Sequence, residues 1–262
     1  MILAGKCPAS LACEGGVKGH NIKKIIHHRE APPVRARGFT KIGMITIGQS
    51  PRIDIIPEMR EVLGTDVEII EAGALDGLTL EEVKKFYPKG RDYILCTRMS
   101  DGTEVVVAKR FIVPRVQKCI DLLSQRGAEI IVFICTGLFP PFSSKKLFVE
   151  AQKILDHSIL ALHGEKERIG LLIPLSDQIK QARKKYDRLK GKVFIKAASP
   201  YASEDEISIA AEALKRADPH VIVMHCMGYT QAMKKKVMEI TGKPTILARS
   251  LVARTVKELI SD

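Results

Sequence analysis

The sequence predicts an α/β fold built from two similar halves with mostly parallel sheets. Three observations carry that prediction. Short apolar runs alternate with helix-period segments over most of the chain, which is the pattern of βαβ units. One strand-and-turn pattern occurs twice, as Glu129-Ile130-Ile131-Val132-Phe133-Ile134-Cys135-Thr136-Gly137 and as His220-Val221-Ile222-Val223-Met224-His225-Cys226-Met227-Gly228. Aligned without gaps, Ile131 matches Ile222, Val132 matches Val223, Cys135 matches Cys226 and Gly137 matches Gly228. A second pattern also recurs: Lys41-Ile42-Gly43-Met44-Ile45 is echoed by Arg168-Ile169-Gly170-Leu171-Leu172. Each half therefore opens on a basic-Ile-Gly strand and later offers a strand ending in Cys-x-Gly.

Taken in order, residues 1–38 are rich in Gly, Pro, His and basic residues and sustain no apolar period, so they read as a flexible basic extension. Cys7, Cys13, His20, His27 and His28 are too irregularly spaced for a zinc site. The strand Lys41–Ile47 runs into Gly48-Gln49-Ser50-Pro51-Arg52, where Ser50 can cap and Pro51 can open a helix reaching Leu63. The first amides of that helix would suit an anion. A strand is predicted at Val67–Ala72 and a short helix at Leu78–Phe86 with Thr79 as N-cap. Two strands, Asp92–Thr97 and Glu104–Ala108, flank an Asp101-Gly102 hairpin signal; Arg98 beside it reads as a surface arginine that could reach an anionic ligand. A helix over Phe111–Gln125 buries Ile112, Val116, Cys119, Ile120 and Leu123 on one face. After Cys135, the irregular run Thr136–Ser144 is expected to face the site and cross to the second half, followed by a helix at Ile154–Leu162. The second half then reads as a strand at Arg168–Ile173, a helix capped by Ser176, a strand at Lys192–Ala197 and a helix opened by a Ser203-x-x-Glu206 capping box. The repeated Cys strand follows, then a helix from Tyr229 to Thr241 ended by Gly242, a strand at Thr245–Ala248 and a last helix at Leu251–Ile260. The expected division places 39–143 with 244–262 in one subdomain and 144–243 in the other.

Composition narrows the function. With 262 residues, 45% hydrophobic and 27% charged, the chain can bury a core, and no apolar run of about 18 residues suggests a membrane span. The six cysteines show neither metal-type nor small-scaffold spacing, so reduced thiols in a cytoplasm are expected. Of the net charge of +12, five charges lie in the first forty residues. The rest gathers on helix faces such as Lys180-Arg183-Lys184-Lys185 and Lys234-Lys235-Lys236, which read as solvated. Nucleic acid is not an expected partner, because aromatics are only 5% and no stacking platform interleaves the basic runs.

Cysteines at the carboxyl ends of two parallel-sheet strands lie on the edge where α/β folds bind ligands. Two facing thiols can take a proton from one face of a carbon and return one to the other, a cofactor-independent racemisation or epimerisation. One thiol must then be thiolate while the other is protonated, and helix N-termini after Gly137 and Gly228 would lower a thiol pKa. His225 adjoins Cys226, but strand neighbours point to opposite faces, so it reads as a packing residue. The turn amides at Gln49-Ser50 and Thr136-Gly137 are natural carboxylate donors. A single cysteine could instead add to an unsaturated diacid, or protonate the carbanion left by a decarboxylation.

The segment Lys41–Arg52, the pair Thr97-Arg98 with Asp101-Gly102-Thr103-Glu104-Val105, and His225-Cys226-Met227-Gly228-Tyr229 together resemble the AroM family, grouped with the aspartate/glutamate/hydantoin racemases. The resemblance spans about residues 40–262. It implies two α/β subdomains about a pseudo-twofold axis, with the site in the cleft. In the superfamily's racemases the two half-motif cysteines are the acid/base pair. Cys135-Thr136 matches their usual Cys-Thr. Cys226-Met227 departs from it, as does Gly48-Gln49-Ser50-Pro51-Arg52 from their opening signature. The expectation is a racemase or epimerase that uses Cys135 and Cys226 and needs no metal or cofactor. Gln49, Ser50, Arg52, Arg98, Thr136, Gly137, Met227 and Gly228 are the candidate contacts to a small carboxylate or amino-acid-like ligand. A homodimer is compatible with the sequence. The alternatives are a single-Cys isomerase or decarboxylase of a small diacid, and a non-catalytic ligand-binding or regulatory protein.

Overall fold

Two four-stranded, all-parallel sheets share one strand order. The computed structural model describes residues 40–261 apart from 163, 165, 166 and 190–192; the expected extension over 1–38 lies outside the described residues. The first sheet runs β2 (Val67–Gly73), β1 (Thr40–Thr46), β5 (Ile130–Phe133), β6 (Leu147–Glu150), and the second runs β8 (Val193–Ala197), β7 (Ile169–Ile173), β9 (Val221–Met224), β10 (Thr245–Leu247). The hydrogen bonds repeat with the sequence. Ile42 pairs with Ile130 as Ile169 pairs with Val221. Beyond the strands, Ile134 N donates to Ile45 O at 2.9 Å as His225 N donates to Leu172 O at 2.8 Å. The recurring glycine of the opening strands has a packing reason. A Cβ on Gly43 would meet the Leu123 side chain at 3.0 Å, and one on Gly170 would meet Ile222, Leu214 and Pro219 at 3.3 Å. The helix behind each central strand thus comes close against it.

The helices form three layers around these sheets. Between the sheets lie α1 (Ile56–Leu63), α4 (Ala151–Leu162) and α8 (Ala248–Glu258), whose Met59, Leu155 and Val252 join Met44 and Leu171 in one core. Outside the first sheet, α3 (Lys109–Gln125) packs Ile112 and Val116 on Ile45 and Phe133, beside the antiparallel hairpin of β3 (Ile94–Arg98) and β4 (Glu104–Ala108). Outside the second sheet, α6 (Glu204–Arg216) and α7 (Gln231–Thr241) bury Leu214 and Val237. The short helices α2 (Leu80–Lys84) and α5 (Ile179–Lys185), with 3-10 turns at Ser176–Gln178 and Asp187–Leu189, complete the described elements. No helix among the described residues is long and apolar enough to cross a membrane.

Four local expectations change. The first helix begins at Ile56, with Pro57 rather than Pro51 in its first turn and no side-chain cap, because the Ser50 hydroxyl is bonded to Asp76. Ser176 and Ser203 make no cap bond, although Thr79 forms the full capping box with Glu82. The run after Cys135 does not cross over. Phe139 and Phe142 fold back on Phe133, edge-on at 4.8 and 5.7 Å, and each such pair is worth about 0.5–1.5 kcal/mol beyond its burial. The chain then adds β6 to the first sheet. Likewise β10 pairs with β9, not with the first sheet. So the boundaries expected at 143/144 and 243/244 do not coincide with sheet membership; only α8 returns to the first half, where it packs on α1.

Candidate active site

The carboxyl ends of both sheets open on one small cavity of about 70 Å³, room for roughly five waters at ~10–15 Å³ each. Cys135, Thr136 and Gly137 line it from the first half, and Cys226, Met227 and Gly228 from the second. The turns are equivalent: Gly137 N lies 3.4 Å from Cys135 Sγ, and Gly228 N lies 3.4 Å from Cys226 Sγ. Both amides donate to sulfur, so each would support a thiolate.

Burial opposes that support. It pushes the Cys135 thiol up to about 12 and raises the Cys226 thiol, against the pull of the two amides, of Arg52 on both, of Lys185 on Cys135 and of Arg249 on Cys226. The helix N-terminus expected after Gly137 is not there to help, and the one after Gly228 comes later than expected. No helix follows Gly137 before β6, and α7 starts only at Gln231. Both resting thiols are therefore protonated at neutral pH. Iodoacetamide should alkylate Cys135 and Cys226 slowly at pH 7, with rates still climbing at pH 9–10. A plateau below pH 8, followed by peptide mapping, would contradict this assignment. Cys96 lines the same cavity, and burial raises its thiol as well, so of the described cysteines Cys119 is the control outside it.

A polar cluster from the second half stands behind Cys135. Lys185 Nζ donates to Thr136 O at 3.1 Å and pairs with Asp156 Oδ1 at 2.8 Å. The Tyr186 hydroxyl donates to the same Asp156 oxygen at 2.6 Å and lies 2.6 Å from His225 Nε2, so the imidazole carries its proton on Nε2. Burial lowers the His225 pKa and keeps the ring neutral. Thr136 Oγ1 donates to His225 O at 3.1 Å, which takes that hydroxyl away from the ligand. Burial alone would raise the Asp156 carboxyl, but His225, Lys185 and Tyr186 together hold its pKa below the usual carboxylate range. A depressed carboxyl contributes stability above its unfolded pKa of about 3.9, and that stability is lost as pH falls toward the folded value. Thermal midpoints measured from pH 7 to pH 3 should fall below about pH 5. Asp156→Asn should lower the midpoint at pH 7 and make the acid decline shallower.

Arg52 occupies the opposite wall and is 4% exposed. Its Nε and Nη2 bond Asp54 at 2.8 and 2.7 Å, Nη1 bonds Thr46 Oγ1 at 2.7 Å, and Nη2 reaches the Tyr201 hydroxyl of the second half at 3.0 Å. Three other first-half candidates, Gln49, Ser50 and Arg98, do not line the cavity. Gln49 donates to Leu75 O and Leu78 O and accepts from Ser100. Both Ser50 donors go to Asp76, and the Arg52 amide goes to Glu71. Of the amides expected to take an anion, those of Ser50 and Arg52 are thus occupied by internal carboxylates, and Gln49 N donates to Arg98 O at 3.2 Å. Arg98 stays outside, with Nη1 3.8 Å from Asp54 and its guanidinium 5.7 Å from the Tyr201 ring centre.

His225, Lys185 and Tyr201 carry polar groups into the cavity that the sequence pattern did not single out. The alternation argument does not apply to His225, because β9 ends at Met224 and His225 and Cys226 both lie beyond the strand. Lys185 belongs to a basic run, yet it stands three residues after Ala182 on the apolar side of α5 and beside Tyr186; that spacing was the available signal. Tyr201 follows β8 at the same sheet edge as the cysteines. Among the described residues no three His, Cys, Asp or Glu side chains come together to hold a metal ion.

The profile of the AroM protein family matches residues 42–260. No curated protein matches in sequence. Among solved structures, the chain is similar to the glutamate racemase from Aquifex pyrophilus (16% identity, TM-score 0.53, covering 84% of each chain). It is similar to Picrophilus torridus aspartate racemase (12% identity, TM-score 0.55, covering 84% of this chain and 94% of that one). It is also similar to a cysteine-to-serine mutant of Nocardia farcinica maleate cis-trans isomerase with a covalently bound succinylcysteine intermediate (13% identity, TM-score 0.54, covering 84% of this chain and 92% of that one). At these identities the likeness establishes the shared fold.

Proposed function

The chain belongs to the AroM family, and from that premise we propose that it is a cofactor-independent racemase or epimerase of a small carboxylate, with Cys135 and Cys226 as its two acid/base groups. One observation carries the reading: equivalent turns of the two halves deliver two thiols into one cavity, each sulfur with a glycine amide at 3.4 Å. In the reaction, one cysteine as thiolate takes the proton from the carbon next to the carboxylate. The other, as thiol, gives its proton to the opposite face, and the two protonation states are exchanged at the end of the turn. Arg52 holds the carboxylate and stabilises the charge that spreads into it. The four described cysteines are free, as the chemistry requires, and the reading places the protein in a reducing cytoplasm.

Deuterium wash-in at the α-carbon, followed by NMR in D₂O over amino acids, hydantoins and hydroxy acids, tests this. Exchange accompanied by inversion is expected for one class, with a rate that rises with pH as thiolate forms. Absence of exchange across the panel, from folded protein, would sink the reading.

The unequal surroundings of the thiols favour a second reading, a single-Cys isomerase or decarboxylase. The charge of Lys185 favours the Cys135 thiolate and that of Arg249 the Cys226 thiolate. Turnover that survives loss of one thiol and not the other would select it. Ligand binding with no turnover at all would select a binding protein that keeps the cleft without the chemistry.

A further inference from the structure

We infer that the ligand carries a primary carboxamide as well as its carboxylate, and that the backbone N–H and C=O of Cys96 on β3 bind that carboxamide. This rests on the cavity being the substrate site and adds the substrate's second functional group. Five successive residues, Tyr93 to Thr97, line the cavity. Side chains along a strand alternate between its two faces, so an unbroken run along the wall means that the strand turns its edge to the space. The hairpin register identifies the backbone groups on that edge. Lys109 N donates to Tyr93 O at 3.0 Å and Met99 N to Thr103 O at 2.8 Å. The odd-numbered residues of β3 therefore exchange ladder bonds with β4, and Ile94, Cys96 and Arg98 point their N–H and C=O the other way. The two flanking positions are met from outside the hairpin. Ile94 N donates to Gln181 Oε1 at 3.1 Å, and Gln181 Nε2 donates to Ile94 O at 2.8 Å. Arg98 O accepts from Gln49 N at 3.2 Å. Between them, the N–H and C=O of Cys96 have no hydrogen-bond partner among the described residues. Cys96 is 8% exposed, and buried backbone groups are nearly always paired, so a ligand with the right donor and acceptor would complete this edge.

The Gln181 side chain shows which chemistry fits. One primary carboxamide, with its C=O and an N–H side by side, satisfies both backbone groups of a single edge residue. Two positions along the same edge, Cys96 offers the same pair of groups to the cavity. A carboxylate there has no proton to give the Cys96 C=O. It would also lie near the carboxylate of Glu104, which bonds the Cys96 thiol and accepts from the Ser199 hydroxyl, and like charges repel. An ammonium has no acceptor for the Cys96 N–H. An open-chain secondary amide is trans and turns its N–H and C=O to opposite sides. A primary carboxamide is neutral and presents both groups on one side, while Arg52 takes the ligand's carboxylate as in the proposed reaction.

Calorimetry on matched triads tests the class: malonamate, monomethyl malonate and malonate, then succinamate, monomethyl succinate and succinate. Each triad keeps one carboxylate and changes the second group. In at least one triad the carboxamide is expected to bind about tenfold more tightly than the ester and the diacid. Cys96→Pro removes the N–H that faces away from β4 and so costs no ladder bond; it should weaken carboxamide binding about tenfold. Cys96→Ala keeps both backbone groups and should stay within about threefold of the wild type. NMR of wild-type protein carrying ¹⁵N, ¹³C-carbonyl cysteine decides the matter even if the proline variant does not fold. The Cys96 signals are those lost in Cys96→Ala, and both its amide proton and its carbonyl carbon should shift when the carboxamide binds. Unmoved Cys96 signals in a bound complex would overturn the inference. So would an ester or diacid binding as tightly as the carboxamide, loss of binding in Cys96→Ala, binding by hydantoins alone, or no carboxamide binding at all. The deuterium experiment separates this from the proposed reaction. Carboxamide binding without exchange removes the racemase and leaves the subsite; exchange confined to compounds without a carboxamide removes the subsite and leaves the racemase.

Discussion

Cys135→Ala and Cys226→Ala should each lower the rate of inversion by about 10²–10⁴, the usual contribution of one general acid or base. The structure gives the two losses different characters. Without Cys226, the thiol beside Lys185 is intact and Cys135 can still take a proton from the enantiomer whose C–H bond faces it. Without Cys135 the same holds for Cys226 and the other enantiomer. Each variant is therefore expected to lose inversion while keeping slow solvent exchange from one enantiomer only, and the enantiomer should switch between the two variants. Chiral chromatography beside NMR in D₂O reads both quantities. Equal residual exchange from both enantiomers in either variant would argue against opposed thiols.

Arg249→Met should destabilise the protein by about 3–5 kcal/mol, the scale for removing one partner of a buried ion pair. Arg249 is 1% exposed and pairs with Glu58 at 3.0 Å. It also donates to Met227 O, Gly228 O and Asp54 O. Methionine fills much of the volume but leaves three carbonyls and a carboxylate without their cation. At about 2–4 °C per kcal/mol for a domain of this size, the thermal midpoint should drop by roughly 6–20 °C. Adding Glu58→Gln should recover part of that loss, because it removes the stranded charge. A midpoint within 2 °C of wild type would show that Arg249 is not the clamp between the second thiol's turn and the first half.

The repeats made the sheets legible in the sequence. Gly43 and Gly170 mark equivalent central strands, and Cys135 and Cys226 mark equivalent strand ends, but the pattern did not place the outer strands β6 and β10. The strands and helices with strong apolar periods, such as α3, lie close to where their spacing puts them. Capping and loop paths were less legible, because they depend on partners distant in sequence. Ser50 looks like a helix cap until Asp76, 26 residues on, takes it. The run after Cys135 looks like a crossing until Phe139 and Phe142 pack edge-on against Phe133. Half of the site was hidden for the same reason. Lys185 is indistinguishable from its basic neighbours without Asp156, which lies 30 residues from Tyr186 and bonds both. Residue type and spacing exposed the thiols; the polar groups around them depend on contacts between the halves.

The placement of α8 has a consequence for how the protein is made. On the ribosome, domains fold from the N-terminus as the chain grows at about 5–20 residues per second. The first sheet and α1 emerge early, yet the apolar face of α1 that carries Met59 is covered by Val252 and Val256 of α8, the last helix described. Lys257 of α8 also donates to Leu63 O at the end of α1, at 2.8 Å. A nascent chain reaching only β10 would hold both thiols but neither the Arg249 clamp nor the lid over α1. Its exposed helix face would be a target for chaperones, and it could not hold the second thiol in place. Assembly of the cavity thus waits until α8 has been made, so that chains lacking this helix carry no organised pair of thiols.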